Sequence, residues 1–556
     1  MTIGVIADAD DLAVVREFFE LFKTPWEICQ EGRTYPVVLC SGDGALDHTA
    51  NLVILYGSRV THFDLEHQIR PGHPPKPNCI LMQEGLRIPI YGDTITFPKA
   101  ENGFLDDEDS HHPAAFLDRY GERWVARIGY DLFAEIRLLL GDGQPPTNAL
   151  VPTLELHIAF LRALMIQCGI PVVEIPPVPD GYRFIACLTH DVDHPSIRRH
   201  QWDRTTFGFL YRAVFVSIYS LFRGRMTVRS LLKNWAAACK LPLVQMGLAK
   251  DFWSDFQDGY REVEDGLRST YFVVPFANRP GMSFRGSAPA LRATRYGARD
   301  IRDTIQTAQT SGCEIGLHGI DAWLDTARAR EELEEIRRVS NGAEIGVRMH
   351  WLYYDRQSPL KLEKAGAAYD ATVGYNATVG YRAGTMQAYK PLETTHLLEL
   401  PLHVMDTALF YPAYLGLSPK KAVAIIDRLV DNVVKWGGCL TINWHDRSLV
   451  PDRLWDACYR HLVQELKDRG AWFATATEAV SWFRKRRSVV FETDDSHSAL
   501  VNLRITGHLD RQLPPLRLRT HKIQQARGTG ASKLQEFFDM AIEDRVHTEA
   551  RCGVNT

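Results

Sequence analysis

The sequence predicts an α/β chain centred on a parallel (β/α) barrel, with a smaller α/β domain before it and a short extension after it. Three observations lead there. From Arg183 to about Arg487, apolar strand-like runs alternate with helical stretches six or seven times, the pattern of a parallel sheet wound with its helices outside. Polar residues cluster at the ends of those runs, where a barrel presents side chains for chemistry. Finally, PPVPDGY, Pro176 to Tyr182, is a stiff proline-rich link that sets off what precedes it.

The first segment, 1–178, opens with β-rich runs (IGVIA, PVVLC, NLVILYG, PIYG) and a helical stretch over Leu12–Phe22, an α/β pattern that reaches to about residue 110. No G-x-G-x-x-G follows any of these strands, so nothing marks a dinucleotide site. Two helices close the segment: YDLFAEIRLLL, and PTLELHIAFLRALMIQCG, which starts at Pro152 and Thr153 and stops at Gly169.

The barrel segment, 179–487, carries its strands in FIACLTHD, STYFVVPF, CEIGLHG, AEIGVRMHWL, LLELPLHVMD, CLTINWHD and WFATATEAV. A helical insertion at about 196–262 interrupts it. Within the insertion, Arg212 breaks the apolar stretch Thr205 to Arg225 short of the roughly 20 apolar residues of a membrane span. It is expected to be a helix packed on the domain, with contact to a membrane surface as the alternative. The last segment, 488–556, holds short β-like runs (SVVFET, ALVNLRITG) and a polar tail with one helical pattern, KLQEFFDMAIEDRV. Accessory strands followed by a weakly ordered end are expected.

Composition narrows the function. A net charge of −4 and 45% apolar content describe a soluble globular chain without the basic excess that attracts nucleic acid. MTIGVIADADDLAVV lacks the basic start and apolar run of a secretory signal, so a cytoplasmic location is expected. Ten cysteines without repeated spacing suggest reduced core thiols and no zinc or disulfide framework.

The strand ends carry the chemistry. Alternation places Thr189, Asp191 and Asp193 on one face of FIACLTHDVD, and His190, Val192 and His194 on the other. Two ionised carboxylates side by side need a cation, a proton or an arginine to compensate them. CEIGLHG delivers His318 to its turn, AEIGVRMHWL puts Arg348 and His350 on one face, and CLTINWHD groups Thr441, Asn443 and His445. A lone histidine is ordinarily a hydrogen-bonded core residue. Four strand ends that each present a carboxylate, imidazole or guanidinium instead suit zinc or another divalent metal ion with an open position for water.

With these motifs, the region from about 183 to 487 resembles the polysaccharide deacetylases, the NodB-homology proteins of carbohydrate esterase family 4. LTHDVD is similar to their first motif, GLRSTYFVVP to the second strand, EIGLHG to the second motif, VRMHW to the third and TINWHD to the last, while AGAAYDATVGY resembles a segment found in some branches. The resemblance implies a distorted (β/α) barrel of seven or eight strands with one divalent metal ion, zinc being the first expectation. It further implies Asp191 as general base, Asp193 and His318 as metal ligands, Arg348 as the residue that orients the base, and His445 as general acid.

One departure matters: the second motif ordinarily supplies another histidine four residues on, and that position is Ala322. Two residues are candidates for the missing ligand. Asp321 lies at helical spacing from His318, and His350 shares the inward face with Arg348; His350 is preferred. Asp406, at the end of LPLHVMD, and Trp351 are the expected substrate contacts.

The resemblance implies hydrolysis of an N-acetyl or O-acetyl group on a sugar, and the expected cytoplasmic location narrows the substrate to a lipid-linked or nucleotide-linked precursor of surface polysaccharide or a short oligosaccharide. A non-catalytic carbohydrate-binding or assembly protein, and a hydrolase of a non-sugar amide, are the alternatives.

Overall fold

The computed structural model describes residues 2–42, 49–72, 74–83, 85–254, 256–492, 500–505, 512–521, 537–542 and 550–551. The chain divides into two compact units. The first comprises Met1–Gly181, Ala383–Thr385 and Trp482–Thr556, and the second comprises Tyr182–Arg382 and Met386–Ser481. The C-terminal strands, read from sequence as a separate extension, therefore group with the first unit.

The first unit holds a nine-stranded sheet. Its parallel half runs through Trp26–Ile28, Ile3–Ile6, Tyr35–Ser41, Ala50–Tyr56 and Arg123–Ile128. Its antiparallel half continues through Pro113–Tyr120, Gly103–Asp107, Lys76–Gln83 and Leu86–Thr94. Helices Leu12–Phe22, Leu132–Leu140 and Thr153–Gln167 belong to the same unit. The second of these starts where the Asp131 carboxylate accepts from the backbone N–H groups of Phe133 and Ala134, at 3.0 and 3.1 Å, a side-chain cap.

The strands between 103 and 128 were not anticipated. Their runs, AAFLDRY and RWVARI, carry charges that blur the alternation, although the Tyr120-Gly121-Glu122 turn, with Gly121 at φ 64°, marks a hairpin. The expected helix in KLQEFFDMAIEDRV is also corrected. Phe537–Ile542 is a strand paired antiparallel with Leu516–His521, and the Asp539 carboxylate takes both Arg517 and Arg519, at 3.1 and 2.8 Å. The remaining tail, 522–536, 543–549 and 552–556, lies outside the described residues.

The second unit is built on a seven-stranded parallel sheet. Its strands are β1 (Phe184–Val192), β2 (Thr270–Val273), β3 (Glu314–Gly319), β4 (Val347–Met349), β5 (Val404–Met405), β6 (Cys439–Asn443) and β7 (Ala471–Phe473). β1 is buried along its whole length, as a continuous apolar run in a parallel sheet requires. It pairs with β2 on one side and β6 on the other, with β7 beside its first residues. β3 and β4 extend the sheet beyond β2.

Single bridges close the ring. Val347 pairs with Asp370 and Asp370 with Glu399; Leu402 N–H then donates to Val373 and His403 N–H to Thr441, at 2.8 and 3.1 Å. The stretch ending in β5 thus joins β4's neighbour to β6. The C-terminal ends of β1, β3, β4, β5 and β6 consequently meet at one mouth. Arg204–Phe222 and Val228–Gln245 form the helical insertion after β1.

Candidate metal centre and active site

The register His318↔Arg348 and Gly319↔Met349 brings the end of β3 alongside the end of β4, so His350 emerges just beyond β4 and close to His318. Asp193 follows the last residue of β1. The three side chains converge: His318 Nε2 lies 2.9 Å from His350 Nδ1, and Asp193 Oδ1 lies 3.5 Å from the first and 3.3 Å from the second.

The second ring nitrogens fix what these atoms are. His318 Nδ1 is 3.1 Å from the carbonyl of Arg348, and His350 Nε2 is 3.0 Å from the carbonyl of Arg292. A carbonyl can only accept, so each of those nitrogens carries the proton and donates. In the neutral rings, His318 Nε2 and His350 Nδ1 are therefore bare lone pairs. Asp193 Oδ1 is buried and has no hydrogen-bond partner among the described residues. Three acceptors facing one another repel unless a cation or proton sits among them. Two imidazoles oriented by carbonyls plus one carboxylate form a donor set that fits a zinc-like ion. Burial pushes His350 below the usual imidazole range, which keeps it in the neutral form that ligates. Burial pushes the Asp193 carboxyl upward, but His350, His318 and His445, when their rings are protonated, outweigh it and hold Asp193 well below the usual carboxylate range.

Asp321 is not brought to this cluster. Its Oδ1 accepts from Met282 N–H at 2.7 Å, its Oδ2 pairs with Arg328 at 3.3 Å, and its own N–H donates to Glu332 at 2.7 Å. The helix that follows begins only at Thr326, capped by Asp325, so the helical spacing expected from His318 is absent. His350, unlike Asp321, does reach His318 and Asp193.

Asp191 stands beside the centre in a clamp. Arg348 Nη1 is 3.2 Å from Oδ1, Asn443 Nδ2 donates to Oδ2 at 2.6 Å, and the Asp191 N–H donates back to Asn443 Oδ1 at 3.1 Å. Arg348 is itself fixed by Thr189 Oγ1 at 2.5 Å and the Ala371 carbonyl at 3.0 Å, with its guanidinium 4.4 Å above the Phe272 ring. Burial raises the Asp191 carboxyl, but positive charge on His318 when that ring is protonated, on Arg348 and on His445 outweighs it, so Asp191 is held below its ordinary value.

His445, just past β6, has its Nδ1 2.6 Å from Asp406 Oδ1, and its N–H donates to Asp406 Oδ2 at 2.7 Å. Ser448 also donates to this carboxylate. Burial disfavours the charged imidazole, yet Asp406 outweighs it and raises the His445 pKa to about 10. Its Nε2 is left facing Asp193 Oδ2 at 3.9 Å. Asp406 is fully buried behind the ring, so the expectation that it contacts substrate is corrected: it orients His445.

His190 points away from the site, with Nδ1 2.8 Å from the Trp444 carbonyl and Nε2 2.9 Å from Glu264. His194 lines the cavity.

These groups open into a cavity of about 480 Å³. Trp351, Tyr353, Tyr411 and Tyr414 provide aromatic faces, and Arg292, Arg447 and Arg453 bring positive charge. Trp351, an expected substrate contact, lines the wall with φ 64°, followed by Leu352 at φ 52°. Consecutive left-handed non-glycine residues are strained and persist only where the surroundings hold them. Here the Asn376 side chain donates to the Trp351 carbonyl at 3.0 Å.

Sequence reading missed four residues. Asn443 was placed on the correct face without a role; its position two residues before His445 was the available signal. Arg292 braces His350 by accepting from its ring and donating to its carbonyl at 2.8 Å. Arg447 and Arg453 belong to HDRSLVPDR, where two arginines follow a chemistry-bearing strand end. Arg453 pairs with Tyr411 and Ser448. Arg447, 7% exposed, stacks 4.6 Å from the Trp253 ring, and its Nε and Nη1 are buried without a hydrogen-bond partner among the described residues.

No protein-family model matches the sequence, and no curated protein matches it. Among solved structures, the chain is similar to a protein assigned as a polysaccharide deacetylase from Mycobacterium smegmatis, at 18% identity over 56% of this chain and 95% of that one, with a TM-score of 0.34. A peptidoglycan N-acetylglucosamine deacetylase catalytic domain from Eubacterium rectale gives 11% identity over 55% and 93% of the chains, with a TM-score of 0.26. A family 4 acetyl xylan esterase from Clostridium thermocellum, in complex with a cobalt ion, gives 13% over 54% and 91%, with a TM-score of 0.23.

Proposed function

We propose that the chain is a divalent-metal-dependent deacetylase that hydrolyses an N-acetyl group, in preference to an O-acetyl group, of a sugar. The observation that carries this reading is the convergence of three unprotonated donors, Asp193 Oδ1, His318 Nε2 and His350 Nδ1, beside a clamped carboxylate and an imidazole paired with Asp406. The resemblance of LTHDVD and EIGLHG to polysaccharide deacetylase motifs agrees with it.

Asp193, His318 and His350 would hold the ion, zinc by preference for this donor set, and its charge would polarise the acetyl carbonyl and acidify a nearby water. Asp191, kept ionised, accepts the proton of the attacking water as its oxygen bonds to the acetyl carbon. Arg348 and Asn443 hold Asp191 in place. His445 then gives its Nε2 proton to the sugar nitrogen as the C–N bond breaks, leaving acetate and a free amine. Asp406 stabilises the imidazolium and fixes its orientation, the division of labour known from carboxylate–histidine pairs in general. His350 supports an active over a non-catalytic chain, since it supplies the ligand that Ala322 cannot.

The cavity walls favour a particular sugar. Aromatic rings give faces for pyranose stacking. A buried guanidinium with unpaired N–H groups is destabilising, and the negative charge of a phosphate or carboxylate in the cavity would offset it. Arg447 thus supports a substrate with an anionic group, as in a diphosphate-linked precursor.

The test is acetate release by the metal-loaded chain from a nucleoside-diphosphate-linked N-acetylhexosamine and from the neutral N-acetyl sugar. The wild type is expected to deacetylate the anionic substrate with the higher kcat/KM. Arg447→Gln should lower that value by about 30-fold or more while sparing the neutral one, given about 2 kcal/mol or more for a truncated buried charge contact. Failure to release acetate from either would sink the deacetylase reading; equal losses on both would remove the anion from it.

A further inference from the structure

The insertion after β1 is apolar on the wrong side for a protein core. Along Arg204–Phe222, a 19-residue helix, the buried positions include Thr206, Phe209, Ala213 and Ser217. The large residues lie on the opposite face: Phe207, Tyr211, Phe215, Tyr219 and Phe222 recur every three or four residues and are 54–85% exposed. The partner helix Val228–Gln245 repeats the arrangement. It buries Ala237, Leu241 and Val244 in the same core as Phe209 and Ala213, while Val228, Leu232, Trp235 and Leu243 are 40–59% exposed. Since both helices bury one stripe against Trp253 and Val450, their aromatic and aliphatic stripes face outward.

The charge of this surface is one-sided. Between Arg204 and Lys250 the sequence holds eight arginines and lysines and no aspartate or glutamate, in a chain whose net charge is −4. Large exposed aromatic residues among lysines and arginines fit the interface of an anionic bilayer, where rings sit at headgroup depth and cations meet lipid phosphates. A protein partner of ordinary composition would not require such exclusion of acidic residues.

Arg204–Phe222 is long and apolar enough by length and composition to cross a membrane. Its Phe209 and Ala213 are nonetheless part of the folded core, and Arg212 pairs with the buried Asp452 at 2.6 Å, which ties the helix to the domain along its length.

We propose that the outward face of the hairpin 204–250 docks the protein onto an anionic lipid surface, lying in the interface. Asp452 belongs to the loop that also carries Arg447, so docking would hold the cavity mouth near a sugar borne on a lipid. That consequence rests on the deacetylase reading, whereas docking itself does not.

Sedimentation of the full chain with vesicles tests it without any assay of activity. Wild type should bind vesicles of equimolar phosphatidylcholine and phosphatidylglycerol, bind phosphatidylcholine alone far less, and be released by salt. Replacing Arg223, Arg225 and Arg229 by Gln should weaken binding on the order of a hundredfold, at about fivefold per charge. Phe215→Ser with Phe222→Ser should also abolish binding while leaving Tm unchanged, because both side chains are exposed. Absence of binding to anionic vesicles, or binding indifferent to these variants, would overturn the proposal. So would a self-associated wild type that the Phe variants render monomeric with vesicle affinity intact, since the face would then belong to a second copy.

Discussion

Asp191→Asn is expected to reduce acetate release by about a hundred- to ten-thousand-fold while leaving bound metal unchanged. A positioned general base contributes on that order, and an amide cannot take the proton. The substitution is nearly isosteric: its oxygen can still face Arg348, which sits 3.2 Å from the present carboxylate, and only the bond donated by Asn443 Nδ2 is lost. Folding is therefore expected to survive. Asp191 is distinguishable from a ligand because Asp193, two residues on, carries the buried oxygen that has no hydrogen-bond partner among the described residues. Kinetics and metal content measured on the same preparation separate the two roles. Loss of metal together with activity would move Asp191 into the ligand set, and full activity would place the base elsewhere.

His350→Ala is expected to lower metal affinity by more than the about 10- to 100-fold typical of losing an outer-shell partner, because it removes a donor atom itself. Asp321→Ala should leave affinity unaltered. The contrast follows from placement: His350 Nδ1 lies 2.9 Å from His318 Nε2, whereas both Asp321 oxygens are engaged with Met282 and Arg328. Equilibrium dialysis against zinc or cobalt reads both variants. Equal affinity in wild type and His350→Ala would contradict the assignment.

The parts of this site legible in the sequence are those governed by strand alternation. A period of two separates Asp191 and Asp193 from His190 without any knowledge of tertiary structure, and it puts Arg348 with His350. Distances between strands are another matter. Asp321 is near His318 in sequence and His350 is 32 residues away, yet sheet register brings the distant residue into contact and a late helix start removes the near one. Asp406 shows the same limit, since its address at a strand end was right but the direction of its carboxylate depends on where His445 turns. Arg447 could not be singled out, because lacking a partner is a property of its surroundings. In the first unit, Phe537–Ile542 carries a pattern compatible with helix or strand; antiparallel pairing with Leu516–His521 and the ion pairs of Asp539 decide for the strand.

The three-donor centre is tested most directly by anomalous scattering from a crystal of the full chain grown with zinc. A single strong peak should lie within about 2.0 to 2.2 Å of Asp193 Oδ1, His318 Nε2 and His350 Nδ1, with Asp191 and His445 on its open side. A peak bounded by other residues, or none at these three atoms in metal-replete crystals, would contradict the centre and the hydrolytic function built on it.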